Sequence, residues 1–254
     1  MKRSFFSVMA GLAVAVIVTS CNKTEEPTPE VLGSFDLEFE YTWGMDGSPF
    51  VLNTPLHHPM TGDTLTFDTF KHYVGNVVLE DVNGETFTDA EAYALFDVAE
   101  PNSLVLRVTD VPEGDYASMT LTLGVDSAHN VSGAQAGALD PTLGMFWSWN
   151  TGYIMVKAEG TSPQSSTGAF TYHLGGFSGE NAVQAERTFD LTSEGLLTVR
   201  ADAAPTVHFM ANPARLFHTY GSVANGPMVH MPGPAAGTMG QDFHSWIYLD
   251  HIHP

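Results

Sequence analysis

Ser34-Phe35-Asp36-Leu37-Glu38-Phe39-Glu40-Tyr41 decides the fold class. In an extended chain Phe35, Leu37, Phe39 and Tyr41 project to one side, and Asp36, Glu38 and Glu40 to the other. That period of two predicts a strand with one buried and one wetted face. The pattern returns further along. Residues 76–79 and 86–87 flank Asn83-Gly84, a dipeptide suited to a tight hairpin turn. Leu104, Leu106 and Val108 alternate, as do Met119, Leu121, Leu123 and Val125. Residues 153–156, 169–173, 196–200, 207–209 and 246–249 are further candidate strands. Helical periodicity is nearly absent, with one- or two-turn helices predicted at 213–217 and 237–243. Gly, Pro, Asn and Asp separate the segments. No internal repeat and no second composition regime is visible. The expectation is an all-β fold: a single antiparallel β-sandwich of Greek-key type, with long loops at 42–63 and 124–152. A Greek-key barrel is the alternative.

The N-terminus predicts processing. Lys2 and Arg3 precede an apolar, small-residue run from Val8 to Val18. The run is too short for a convincing membrane span. It ends in Val18-Thr19-Ser20-Cys21, the form of a bacterial lipobox, which makes Cys21 the acylated first residue of the mature chain. Residues 1–21 are thus expected to be a lipoprotein signal, 22–33 a Pro-rich tether and 34–254 the domain. Asn22 after the Cys suits onward transport to the outer membrane of a Gram-negative envelope. Removing Lys2 and Arg3 leaves seven basic residues against 29 acids, a formal charge of −22. Such a surface disfavours nucleic acid and anionic lipid as partners. With Cys21 the sole cysteine, the domain holds no disulfide.

Hydrolase signatures are absent: no Gly-x-Ser-x-Gly, no His-Glu-x-x-His and no P-loop, so no enzyme activity is expected. Eleven histidines against nine Lys and Arg is an unusual balance. His251-Ile252-His253 puts two imidazoles on one face of a strand, a chelating pair or simply a chain end. Met228-Val229-His230-Met231 sets thioethers beside an imidazole, a combination that suits copper or an ordinary apolar core. His244 reads as a surface residue. Gly144-Met145-Phe146-Trp147-Ser148-Trp149-Asn150-Thr151-Gly152-Tyr153 carries two of the four tryptophans at same-face spacing between glycines.

Together these motifs resemble the MbnP-like family. The resemblance is strongest at Gly124-Val125-Asp126, Leu139-Asp140-Pro141, the Trp147-Ser148-Trp149 block, Lys157-Ala158-Glu159-Gly160, Tyr172-His173-Leu174-Gly175 and Leu249-Asp250-His251-Ile252-His253. It implies a copper-binding β-sandwich, copper as cofactor, and a partner di-haem peroxidase of the MauG type that oxidises a tryptophan to kynurenine. His173, His230, His251, His129 and His208 are then candidate ligands. Trp147, Trp149 and Trp43 are candidates for modification or for lining the site. The chain departs from some relatives in lacking a cysteine pair near its His-Leu-Gly strand. The competing expectation is a surface binding or structural module in which both tryptophans only fill the core.

Overall fold

The computed structural model describes residues 31–147 and 152–254. Cys21, the tether up to residue 30 and Trp149 lie outside the described residues. In chain order the strands begin with β1 (Leu32–Trp43), β2 (Ser48–Pro49), β3 (Leu56–His57), β4 (Thr64–Asp81) and β5 (Thr86–Asp97). They continue with β6 (Val105–Pro112) and β7 (Gly114–Leu123), the short helix α1 (Ser127–Val131), and β8 (Phe146–Trp147) and β9 (Gly152–Tyr153). Then come β10 (Val156–Thr161), β11 (Ala169–Leu174), β12 (Ala185–Asp190), β13 (Leu197–Val199), β14 (Thr206–Ala211) and β15 (Met228–Val229). Helix α2 (Pro234–Ser245) and β16 (Tyr248–His253) close the chain.

Two sheets face each other, as an all-β sandwich requires. In the smaller, β1 lies between β6 and β14, and β16 follows β14 at the edge. In the larger, β4 is central and pairs with β5, β7 and β10, while β11 extends the sheet beyond β10. Most pairs are antiparallel. β1 with β14 and β11 with β15 are parallel. Such pairs need long connections, and residues 44–205 and 175–227, with the strands they contain, supply them.

The alternation of β1 has the expected consequence. Phe35, Leu37 and Phe39 are buried, whereas Asp36, Glu38 and Glu40 face outward. Phe39 stacks on Phe209 at 5.5 Å and meets Phe96 at 4.7 Å, joining the two sheets. Among these rings sits His72 of β4. Its Nε2 is 2.7 Å from the Tyr41 hydroxyl, and its ring stacks on Phe96. Burial pushes its pKa down to about 3, so the ring is neutral and serves as core. Helix α2 covers the same core with Ala236, Met239 and Phe243. Its C-terminal turn is tied down by Arg187 of β12, which donates to the carbonyls of His244 and Ile247 at 2.7 and 2.5 Å.

His244 is not at the surface. It is 1% exposed, and its Nδ1 lies 3.0 Å from the Val183 carbonyl. The helix packs onto residues 181–183 at this point, which carries the ring inward.

Candidate metal centre

The histidines singled out in the sequence fall into three separate places. The first is a cleft of about 500 Å³ lined by Trp147, Thr171, His173, His230 and Met231. β11 carries His173 at its end, and β15 runs parallel to it with Thr171 opposite Met228 and Tyr172 opposite Val229. His173 follows on β11 and His230 is the residue after β15, and both imidazoles line the same cleft. Met228 and Met231, on either side of His230, are both exposed, at 56% and 57%.

Trp147 forms the wall of this cleft. Strands β8 and β9 pair Phe146 with Tyr153 and Trp147 with Gly152. The hairpin is held from below. Asn130 donates from Nδ2 to the Val125 carbonyl at 2.6 Å and accepts from the Tyr153 amide at 3.0 Å. The Tyr153 hydroxyl donates to the Leu139 carbonyl at 2.8 Å, and its ring meets Tyr73 edge-on at 5.8 Å. Val125, Leu139, Met145, Trp147 and Ile154 complete a satellite core around them. The Trp147 ring then lies directly over Gly175, where a Cβ would approach Cζ3 to 2.5 Å. The two sequence blocks are therefore halves of one construction. His-Leu-Gly supplies an imidazole and, two residues on, the bare backbone on which the tryptophan rests.

His173 is already oriented. Its Nε2 is 2.6 Å from Oε1 of Glu159, on the neighbouring β10. Burial pushes its pKa down, assisted by Lys157 and His230, and the Glu159 bond does not reverse this. Burial alone would raise Glu159, but the His173 bond and Lys157, 3.7 Å away, hold it below its ordinary value. At neutral pH the pair is a neutral imidazole beside a carboxylate. With Nε2–H donating to Glu159, the Nδ1 lone pair is left for a ligand. This is the usual relation between a metal-binding histidine and its supporting carboxylate. Glu159 gave no signal in the sequence beyond its place in Lys157-Ala158-Glu159-Gly160.

The second place is the outer face of the smaller sheet. His208 on β14 sits opposite His251 on β16, and His253 lies two residues further along. His208, His251 and His253 have donor atoms within 4.8 Å of one another. His251-Ile252-His253 is thus not a loose end but the last strand of the sheet.

The third is His129 on α1. Its Nδ1 is 2.8 Å from Oδ2 of Asp126, which also accepts from Asn76 at 2.6 Å and from the Tyr93 hydroxyl at 2.8 Å. Burial opposes ionisation of Asp126, but these bonds and the His129 amide outweigh it and hold the carboxyl well below its usual range. His129 is engaged in fixing the start of α1 and does not join the other two groups. Trp43 is likewise apart. It is buried in the main core, donates from its indole nitrogen to the His57 carbonyl at 2.9 Å, and lines a different cleft with Met45 and His57.

The MbnP family profile matches residues 32–231, which include Trp147, His173 and His230. The chain belongs to the MbnP family. Among solved structures, MbnP from Methylosinus trichosporium is similar in fold, with 16% sequence identity and a TM-score of 0.53. The likeness covers 82% of this chain and 83% of that one. No curated protein matches the chain. His251 and His253 lie beyond the segment matched to the MbnP family.

Proposed function

We propose that this MbnP-family protein is a copper-binding lipoprotein of the cell envelope, acting in copper uptake, storage or delivery. The proposed centre is the cleft of Trp147, His173 and His230. The observation that carries this is the placement of two imidazoles beside the one wall that a tryptophan can chemically alter. Imidazole and thioether donors suit copper, and Met231 favours the soft Cu(I) ion. Two imidazoles alone make an incomplete set. An intact indole adds no donor, because its nitrogen carries hydrogen and no available lone pair. Conversion of Trp147 to kynurenine would cleave the indole C2–C3 bond, add an oxygen to each carbon and release C2 as formate on hydrolysis, leaving an aniline nitrogen and a ketone oxygen at the cleft. A di-haem partner of the MauG type is the proposed catalyst, with two equivalents of hydrogen peroxide as the oxidant, reduced to water. Glu159 orients His173, and the aromatic wall keeps water from the ion. Cys21 is proposed to carry the lipid that holds the protein at the outer membrane.

Copper retention and peptide mass of protein isolated from its native cells test this. The expected result is kynurenine at Trp147 and copper retained by wild type. Retention should fall in Trp147→Phe and His173→Ala but not in His218→Ala, an exposed histidine elsewhere. Equal retention in all four forms would refute the assignment. Unmodified Trp147 in copper-loaded native protein would remove the kynurenine step.

A further inference from the structure

We infer that the outer face of the smaller sheet holds a second metal site, separate from the cleft, in which His208, His251 and His253 take a divalent transition ion of the zinc or copper(II) kind. Sheet register builds it. His251, His208 and Glu38 form one row across β16, β14 and β1, all on the face opposite the buried Leu37, Val207 and Phe209. His253 joins from two residues along β16, and Glu40 from two residues along β1. Glu38, Glu40 and His208 form a second set of donors within 4.8 Å. Asp36, two residues before Glu38 on the same face of β1, is not available, because Arg107 holds both its oxygens at 2.8 Å.

Several features go beyond chance crowding. His208 is 8% exposed, and its Nδ1 is buried without a hydrogen-bond partner. Glu38 and Glu40 stand 3.7 and 3.9 Å from that atom, outside bonding range. A buried nitrogen without a partner is costly to the fold, and a bound ion would give it one. His251 Nε2 and His253 Nε2 point at each other across 2.9 Å. With metal–nitrogen bonds of about 2.0–2.1 Å, two imidazoles bound at right angles have nitrogens ~2.9 Å apart, and at a tetrahedral centre ~3.3 Å.

A β-bulge between His208 and Phe209 leaves Asp250 unpaired, and its Oδ2 lies 2.7 Å from His251 Nδ1. That fixes the proton on Nδ1 and leaves Nε2 as the donor, again a carboxylate behind a metal-binding histidine. The three rings rest on one another: His208 stacks on His251 at 4.4 Å, and His253 meets both edge-on. His251 and His253 are the more exposed pair, and His251 must turn out of its stack on His208 for the three rings to converge on one ion.

The donor set names the ion class. Three imidazoles with a carboxylate suit zinc or copper(II), whereas calcium and magnesium require oxygen ligands. The surrounding Glu38, Glu40 and Asp250 exclude an anion. The cleft, with its thioether and aromatic wall, favours a softer ion.

Titration of the full chain with zinc and with cobalt(II), after removal of metal by chelator, tests the site. Cobalt should give a visible absorption band from nitrogen coordination. We expect His173→Ala/His230→Ala to keep this binding and His251→Ala/His253→Ala to lose it. His253→Ala alone should weaken zinc by more than the ~10–100-fold that loss of an outer-shell partner costs. His253 is exposed and at the edge of the sheet, so that variant should fold; its β-sheet circular dichroism verifies this. Wild-type affinity in folded His251→Ala/His253→Ala would overturn the proposal. So would loss of the zinc and cobalt signal only in His173→Ala/His230→Ala. Failure of copper retention in the cleft, with zinc binding intact, would refute the cleft assignment and leave this site standing.

Discussion

The cleft and the outer sheet face use histidine in opposite ways. In the cleft, His173 and His230 come from a strand end and the residue after a two-residue strand, and a tryptophan braced from behind completes the wall. On the sheet face, strand pairing aligns His208 with His251, and the supports are local, namely Asp250 behind His251 and the contacts among the three rings. The cleft is embedded in a satellite core, so its geometry and its stability are coupled. The sheet face stands on a core that packs without it. A site of the first kind cannot be altered without cost to the fold; one of the second kind can.

The largest expected effect tests that coupling in the cleft. Trp147 is 6% exposed and packs with Val125, Leu139, Met145 and Tyr153. Trp147→Ala should cost about 3–5 kcal/mol of stability, as for other buried aromatic truncations. Urea unfolding of metal-free protein measures it. A loss no larger than that of His253→Ala would erase the distinction between the two regions.

A third population of histidines sharpens the comparison. His72 and His244 are fully buried, their pKa values pushed down by burial to about 3 and about 4. In the unfolded chain both rings protonate near pH ~6.5. Between these values the unfolded state holds more protons, so this contribution to stability is complete above pH ~6.5 and is lost as pH falls. The expected slope is on the order of 1 kcal/mol per pH unit for each ring. His173 and His208 shift in the same direction but are less enclosed, and should add less. Urea midpoints at pH 7 and pH 5 check this, and His244→Gln should flatten part of the slope. An unchanged midpoint in wild type would contradict the account of the core.

Gly175→Ala probes the joint between the two sequence blocks. A Cβ there meets the Trp147 ring at 2.5 Å and the Tyr153 carbonyl at 2.8 Å, so ring or hairpin must move. Overpacking of this kind costs about 1–3 kcal/mol. Copper retention should fall with it, although no proposed ligand has changed. Full stability and full retention would show that Trp147 does not depend on Gly175.

What could be read in the sequence follows from how local each feature is. β1 and β7 were legible because one face is core and the other solvent. β12 was not: Ala185, Arg187 and Phe189 share a face, but the arginine breaks the apolar pattern while serving α2. Tyr73 and Val74 of β4 are both buried, so that stretch reads as a continuous apolar run rather than an alternation. The cleft was partly visible, because Trp147, His173 and His230 each lie in a marked motif. Glu159 was not, since a carboxylate becomes a support only when its neighbour strand is known. Of the sheet-face cluster, His208, His251 and His253 were each candidate ligands in the sequence, but nothing there joined them, since the pairing of β14 with β16 does that. Glu38 and Glu40 come to His208 by a parallel pairing across most of the chain and looked like the wetted half of β1.

The smallest expected effect is also the most direct contrast. His253 is exposed, lies at the chain's final strand and touches only the neighbouring imidazoles among the rings near it. In metal-free protein His253→Ala should change stability by no more than about 0.5 kcal/mol, the range for surface substitutions away from packed features. In saturating zinc the wild type should gain stability by mass action, because only the folded chain aligns β14 with β16 to form the site. The variant should gain much less. Thermal melts of both forms, with chelator and with zinc, read the two effects separately. A large loss in chelator would mean that the sheet edge depends on its histidines for packing, and the two regions would then differ in chemistry but not in their coupling to the fold.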